Sequence, residues 1–134
     1  MLLGEYHLSL DCAGRFSLPV AIRYAMRELY APDDTTLILS MFFDGGLVCY
    51  PRVEWLKAPE RLRRLGATPR ELRDFQTPKA VCLLDEEGRL YLPHLFRQHA
   101  GITHDVLVIG GVCLLELWSP PRWEGYGAKE AGRL

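Results

Sequence analysis

Residues 10–23 read LDCAGRFSLPVAIR, and residues 84–97 read LDEEGRLYLPHLFR. Aligned without a gap, they agree at seven of 14 positions: Leu10/Leu84, Asp11/Asp85, Gly14/Gly88, Arg15/Arg89, Leu18/Leu92, Pro19/Pro93 and Arg23/Arg97. Self-similarity has to be read before any single element, because two copies of one unit can bury a core that neither buries alone. Working outward, each copy runs into a helix-like segment and then two apolar strands divided by glycines. Each closes on an aromatic-proline-tryptophan signature: Tyr50-Pro51 with Trp55, and Trp118-Ser119-Pro120 with Trp123. The chain reads as one module used twice with an insert between, the copies paired about a pseudo-twofold axis.

Local chemistry defines the module. Glu5 to Leu10 alternates as a strand does, with Tyr6, Leu8 and Leu10 on one face. Asp-x-x-Gly is a turn pattern: the carboxylate can accept from amides ahead of it, and glycine tolerates positive φ. A short strand follows, Arg15 to Leu18 or Arg89 to Leu92, and meets Pro19 or Pro93. Proline suits the first helical position, where its missing N–H costs nothing. The first helix carries Ile22, Ala25, Met26 and Leu29 at helical spacing, and the second is shorter, stopping at Gly101. Two hairpins are expected next. In one, Thr36–Phe43 and Leu47–Tyr50 flank Asp44-Gly45-Gly46. In the other, Asp105–Ile109 and Val112–Trp118 flank Gly110-Gly111.

The expected organisation is a first module over 1–50, a helical insert over 51–77, a second module over 78–124 and a tail over 125–134. In the insert, Thr68-Pro69-Arg70-Glu71 combines a capping box with proline at the first helical position, so a helix starts there. Pro59 is expected to split the preceding part into two short pieces. Residues 52–74 hold seven basic and four acidic side chains, which reads first as a solvated helix face. From Gly125 the chain is polar and glycine-rich and is expected to fray.

A length of 134 residues suits one ordinary domain or two very small ones sharing a core. Hydrophobic residues at 49% and charged residues at 25% exclude disorder, collagen and coiled coil. No apolar run approaches the roughly 18 residues of a membrane span, and the first residues lack a basic head followed by an apolar stretch, so a soluble, cytoplasmic protein is expected. A net charge of −1 opposes a uniformly basic nucleic-acid binder but leaves a local cationic surface open. Thirteen of the 16 basic residues are Arg, the side chain suited to forked contacts with phosphate, guanine or carboxylate.

Cys12, Cys49, Cys82 and Cys113 contain no C-x-x-C pair, which argues against a zinc ribbon or a thioredoxin-type site. Cys49, Cys82 and Cys113 lie in apolar strand-like runs and read as buried hydrophobes. His94, His99 and His104 recur every five residues, a spacing that does not stack them on a helix face, so no metal site is read. Neither G-x-x-x-x-G-K nor G-x-G-x-x-G occurs, and no cofactor is expected.

Two copies of D-x-x-G-R-x-x-x-P, each followed three residues later by a hydrophobe and Arg, resemble the MraZ family of bacterial transcriptional regulators. Gly4-Glu5-Tyr6, Tyr50-Pro51 with Glu54-Trp55, Arg97 to Ile102, Val108-Ile109-Gly110 and Glu116-Leu117-Trp118 extend the resemblance over about residues 1–124. It implies a β-rich α+β fold: a swapped-hairpin β-barrel of the AbrB type, made of two tandem β-β-α-β-β modules with helices in the connecting insert. It also implies binding to double-stranded DNA at repeated sites upstream of the chain's own operon, in the division and cell-wall gene cluster. That places the protein at the nucleoid, and the family assembles into a ring of many subunits. The family's DNA-binding motif falls on Asp11 with Arg15 and on Asp85 with Arg89. Two stretches depart from the family pattern: Ala21, where a basic residue is frequent, and Thr77-Pro78-Lys79, where a small link is usual.

The residues support the same site on their own terms. A turn opening with Asp and closing on Gly-Arg projects a guanidinium from a stiff base. Gly14 and Gly88 make the bend, and Asp11 and Asp85 orient the arginines, because a carboxylate facing phosphate is repelled. Arg23 and Arg97 are the next candidates, for phosphate. Two other classes are open. An AbrB-like antitoxin-type module would bind a protein partner, yet a second full module stands where such chains carry a disordered tail. An enzyme could pair Asp11 with Asp85 across the pseudo-twofold, but a neighbouring Arg lowers each carboxyl and opposes proton sharing. A non-enzyme is expected.

Overall fold

Both repeat copies fold into the same succession of elements, in a computed structural model that describes residues 2–30, 35–41, 45–76 and 80–132. The first copy gives β1 (Gly4–Ser9), β2 (Arg15–Ser17), α1 (Val20–Leu29), β3 (Thr36–Met41) and β4 (Leu47–Pro51). The insert forms α2 (Arg52–Arg64) and α3 (Pro69–Gln76). The second copy gives β5 (Ala80–Leu83), β6 (Arg89–Tyr91), α4 (His94–Ala100), β7 (Asp105–Gly110) and β8 (Leu115–Trp118), followed by α5 (Pro120–Gly132). The class is mixed α+β, with antiparallel pairing throughout.

Six strands make one sheet in the order β1-β7-β8-β4-β3-β5, and β2 pairs with β6 in a separate ribbon. Exchanging the copies turns this order into its own reverse. The opening strand of each copy pairs with the other copy's hairpin: Ser9 faces Asp105 in one half and Leu83 faces Thr36 in the other. At the sheet's middle Val48 faces Glu116, and at the ribbon's middle Phe16 faces Leu90. Apolar side chains of both copies, among them Leu10, Phe16, Leu18, Ile22, Leu90, Leu92 and Phe96, share one buried cluster. Each copy is short of apolar area by itself, and exchanging strands supplies the missing partner surface.

Helix starts follow the sequence closely. Thr68 caps α3, its hydroxyl accepting from the Glu71 amide at 3.1 Å while also donating to Glu71 Oε1 at 3.2 Å. Pro19 and Pro93 stand one residue earlier than expected, in the capping position with ψ of 140° and 147°, and Pro51 does the same for α2. At the cap a missing N–H is equally harmless. α4 stops at Gly101 as expected. On α1, Ile22 and Met26 are buried, but Leu29 at its C-terminal end is half exposed.

Three expectations need correction. Pro59 does not divide its segment: α2 runs through it. Contacts on both sides hold the helix across the lost hydrogen bond, with Trp55 stacked on Phe75 (ring centroids 4.2 Å) and Glu54 paired with Arg61. The second hairpin turns wider than expected, with the Gly111 amide bonded to Leu114 O at 2.8 Å, so Val112 is exposed and Cys113 sits in the turn rather than in a strand. Cys49 and Cys82 are buried as read. Finally, α5 continues through Gly125 to Gly132, where a fraying tail was expected. Ser119 Oγ accepts from the Arg122 amide, and Trp123 and Tyr126 pack on Trp118, an anchoring that outweighs the glycines. The expected strand end at Phe42-Phe43, the turn residue Asp44 and the link Thr77-Pro78-Lys79 lie outside the described residues.

Candidate nucleic-acid interface

Strand alternation decides where the two motif arginines go. Phe16 and Leu90 face each other on the buried side of the β2–β6 ribbon, so their neighbours Arg15, Ser17, Arg89 and Tyr91 share the opposite, outer face. Arg15 stands across from Tyr91 and Arg89 across from Ser17. The two guanidiniums are therefore diagonal neighbours on one surface, each about a third exposed (36% and 31%). Arg15 Nη1 lies 3.9 Å from Asp85 Oδ2, the same oxygen that holds Arg89 Nε at 2.8 Å.

Each arginine rises from the same scaffold. Asp11 Oδ1 accepts the amides of Ala13 and Arg15, both at 2.9 Å, and Asp11 Oδ2 accepts Arg15 Nε at 3.1 Å. Asp85 Oδ1 accepts the amides of Glu87 (3.0 Å) and Arg89 (2.8 Å), and its Oδ2 accepts Arg89 Nε. These are Asx-type turns carried one step further, onto the guanidinium. The Arg15 amide, together with the Ala13 amide and the Arg15 side chain, holds the Asp11 carboxyl below its usual value. The Arg89 amide and guanidinium do the same for Asp85, and Asp85 in turn raises Arg89. Both carboxylates are committed to orienting arginine, an arrangement opposed to a shared proton between them.

Gly14 and Gly88 close the turns with φ of +81° and +74°, conformations that a β-carbon strains. Their carbonyls accept the amides of Leu92 and Leu18, one crossing in each direction between the copies. Each glycine also lies beneath the helix arginine of the other copy. A β-carbon on Gly88 would stand 2.5 Å from Arg23 Nη1, and one on Gly14 would stand 3.1 Å from Arg97 Cζ. Arg23 Nε donates to Leu18 O at 3.1 Å, whereas the equivalent Arg97 Nε is buried with no hydrogen-bond partner among the described residues. All eight candidate residues, Asp11, Gly14, Arg15, Arg23, Asp85, Gly88, Arg89 and Arg97, thus belong to one constellation.

Sequence reasoning missed two features here. The helix arginines pack across the copies rather than beside their own turns. The turns also differ in charge: Cys12-Ala13 in the first aligns with Glu86-Glu87 in the second, and Glu87 Oε2 takes Arg89 Nη2 at 3.2 Å. The repeat alignment itself carries that signal. A second polar cluster, away from the ribbon, joins Tyr30 Oη to Glu54 Oε1 at 2.9 Å, Glu54 Oε2 to Arg61 at 2.9 Å, and Arg61 to Cys113 Sγ at 3.7 Å. Glu54 is only 7% exposed, and burial followed by the Glu54 bond pushes the Tyr30 hydroxyl up. This cluster ties the end of α1 to α2 and the second hairpin turn. Among the described residues no group of three metal-ligating side chains converges, and no helix is long and apolar enough to cross a membrane.

Comparison with known proteins meets this geometry. Residues 77–133 match the family model described as "MraZ protein, putative antitoxin-like". A protein of Heliobacterium modesticaldum named Transcriptional regulator MraZ is 33% identical over 98% of this chain and 90% of its own length. The chain belongs to the MraZ family. Relatives of the same name from Lachnoclostridium phytofermentans and Caldicellulosiruptor bescii are each 34% identical over 92% of this chain, covering 85% and 84% of their own lengths. The resemblance carried by the twin motifs and the tryptophan junctions is thereby established as membership in MraZ.

Proposed function

We propose that this chain is a sequence-specific DNA-binding transcriptional regulator that works by occupancy, without chemistry. In this reading two AbrB-type modules, 1–50 and 78–124, exchange strands as a swapped-hairpin pseudo-dimer, with 51–77 as a helical insert. Arg15 and Arg89 meet a DNA groove, Asp11 and Asp85 hold them in position, and Arg23 and Arg97 add charge over the turn glycines. Carried over from the family, the target is a set of repeated boxes upstream of the chain's own operon in the division and cell-wall cluster, and the protein works at the nucleoid.

The single observation that carries the reading is the placement of both motif guanidiniums on the outer face of one ribbon, linked through Asp85. Base-edge contacts specify sequence and phosphate contacts position the protein. One subunit neutralises few phosphates, each adding about −0.9 to the slope of log K against log salt. A ring of identical subunits on repeated boxes raises the effective concentration, so a near-neutral protein can still bind tightly. The test is gel retardation and sizing with the DNA upstream of the chain's own gene. Wild type forms one complex that scrambled DNA does not support, and Arg15→Ala loses it with an unchanged circular dichroism spectrum. Full-strength binding by Arg15→Ala refutes the assignment. Co-purification of a stoichiometric small protein would favour the antitoxin-type role instead.

A further inference from the structure

The two turns share one backbone scaffold and differ in what surrounds the arginine. At the first, Arg15 and the overlying Arg97 face one carboxylate within the motif, Asp11, and the intervening residues are Cys12 and Ala13. The second motif holds three, Asp85, Glu86 and Glu87: Asp85 and Glu87 bond to Arg89, and Glu86 lines a recess with the overlying Arg23. Arg89 is held twice, Nε by Asp85 at 2.8 Å and Nη2 by Glu87 at 3.2 Å. Among the described residues Arg15 is held closely only through Nε, at 3.1 Å, and its Nη1 stands 3.9 Å from Asp85. Ala13, the positional equivalent of Glu87, offers the Arg15 fork nothing to bind.

From this asymmetry we infer that Glu87 is an intramolecular counterion that competes with DNA for Arg89, so that the pseudo-symmetric arms bind unequally and Arg15 supplies the principal grip. The inference rests on the DNA-binding reading above and adds which arm leads and which residue limits affinity. A phosphodiester reaching Arg89 has to displace the Glu87 carboxylate and to approach Asp85, which holds Arg89 Nε at 2.8 Å. At Arg15 it meets Asp11, which orients the fork, and Asp85 at 3.9 Å, with an alanine where the second turn has Glu87. The Glu87 side chain is 66% exposed, so it is available for displacement and contributes no core packing. Its amide donates to Asp85 Oδ1, a bond of the main chain that any side chain except proline preserves.

The experiment is a salt series of binding isotherms with the upstream DNA for wild type, Glu87→Ala, Glu86→Ala, Arg15→Ala and Arg89→Ala, and for Glu87→Ala combined with Arg89→Ala. Glu87→Ala installs the residue that the first turn carries, and a thermal melt matching wild type confirms folding. Freeing one further phosphate contact steepens the salt slope by about 0.9, which corresponds to about an eightfold gain in affinity at 0.1 M salt. Expected with it are a larger loss from Arg15→Ala than from Arg89→Ala, and cancellation of the Glu87→Ala gain by Arg89→Ala. Glu86→Ala, which removes the same charge without touching Arg89, gains less. Equal gains from Glu86→Ala and Glu87→Ala overturn the inference, as does unchanged or weaker binding by Glu87→Ala. Equal losses from the two arginine variants overturn it too. Should Arg15→Ala bind as wild type does, the DNA-binding assignment itself falls. Should Arg15→Ala fail while Glu87→Ala changes nothing, only the counterion role falls.

Discussion

Replacing Gly88 by Ala separates backbone strain from cross-copy packing, because Gly14 provides a matched control in the same chain. Both glycines hold φ near +80°, where an added β-carbon costs about 1–2 kcal/mol whatever the space available. What lies above them differs. At Gly14 the nearest atom, Arg97 Cζ, stands 3.1 Å from the new carbon, a contact relieved by a few tenths of an ångström. At Gly88 three atoms of Arg23 stand within 2.7 Å, so that side chain has to leave and give up its Nε bond to Leu18 O. A lost hydrogen bond adds about 1 kcal/mol. Gly14→Ala should therefore cost about 1–2 kcal/mol and Gly88→Ala about 2–3 kcal/mol. For a chain of this size each 1 kcal/mol lowers Tm by roughly 3–5 °C, so the two melts should separate by several degrees. Combining Gly88→Ala with Arg23→Ala removes the clash while keeping the strain, and the increment from Gly88→Ala should shrink to the Gly14 value. Equal destabilisation by Gly14→Ala and Gly88→Ala, or an undiminished increment in the Arg23→Ala background, refutes the packing argument.

Three further outcomes follow from the same geometry. The Asp11 and Asp85 carboxyls are held below the usual 3.8 by the turn amides and arginines, so the stability they add is complete above that value and is lost as pH falls through their lowered folded values. A series of melts from pH 6 to pH 2.5 should show wild type losing Tm more steeply than the Asp11→Asn, Asp85→Asn double variant, and parallel curves contradict the turn bonding. Trp55→Ala removes a ring stacked on Phe75 and half-buried against the sheet. About 2–3 kcal/mol should go with it, and amide protection over Pro69–Gln76 should fall first in hydrogen exchange, whereas retained protection there argues against the stack as the anchor of α3. Among the thiols, Cys12 is exposed and Cys113 partly so, while Cys49 and Cys82 are buried, their thiols pushed up by desolvation. Titration with a disulfide reagent should modify Cys12 first and reach Cys49 and Cys82 only on unfolding; rapid reaction of Cys49 in the native protein would contradict its burial.

What the sequence determined by itself is whatever lies within a short window. The repeat, the strand-turn-strand order, the Asp-to-amide turns, the glycines that need positive φ, the Thr68 capping box and the stop at Gly101 all depend on residues within a few positions of one another. Their chemistry is therefore written where it acts. Pairing is different. That Phe16 faces Leu90, bringing Arg15 and Arg89 onto one surface, is settled by burying two side chains far apart in the chain, for which neither local segment holds a complete instruction. The same holds for Arg23 over Gly88, Arg97 over Gly14 and the continuity of α2 through Pro59. It holds again for α5, where three aromatic rings and the Arg122 bond to His99 O outweigh a glycine-rich composition. Tertiary burial decided these because it acts through area removed from water and through polar partners supplied at a distance, and both exist only once the copies have met.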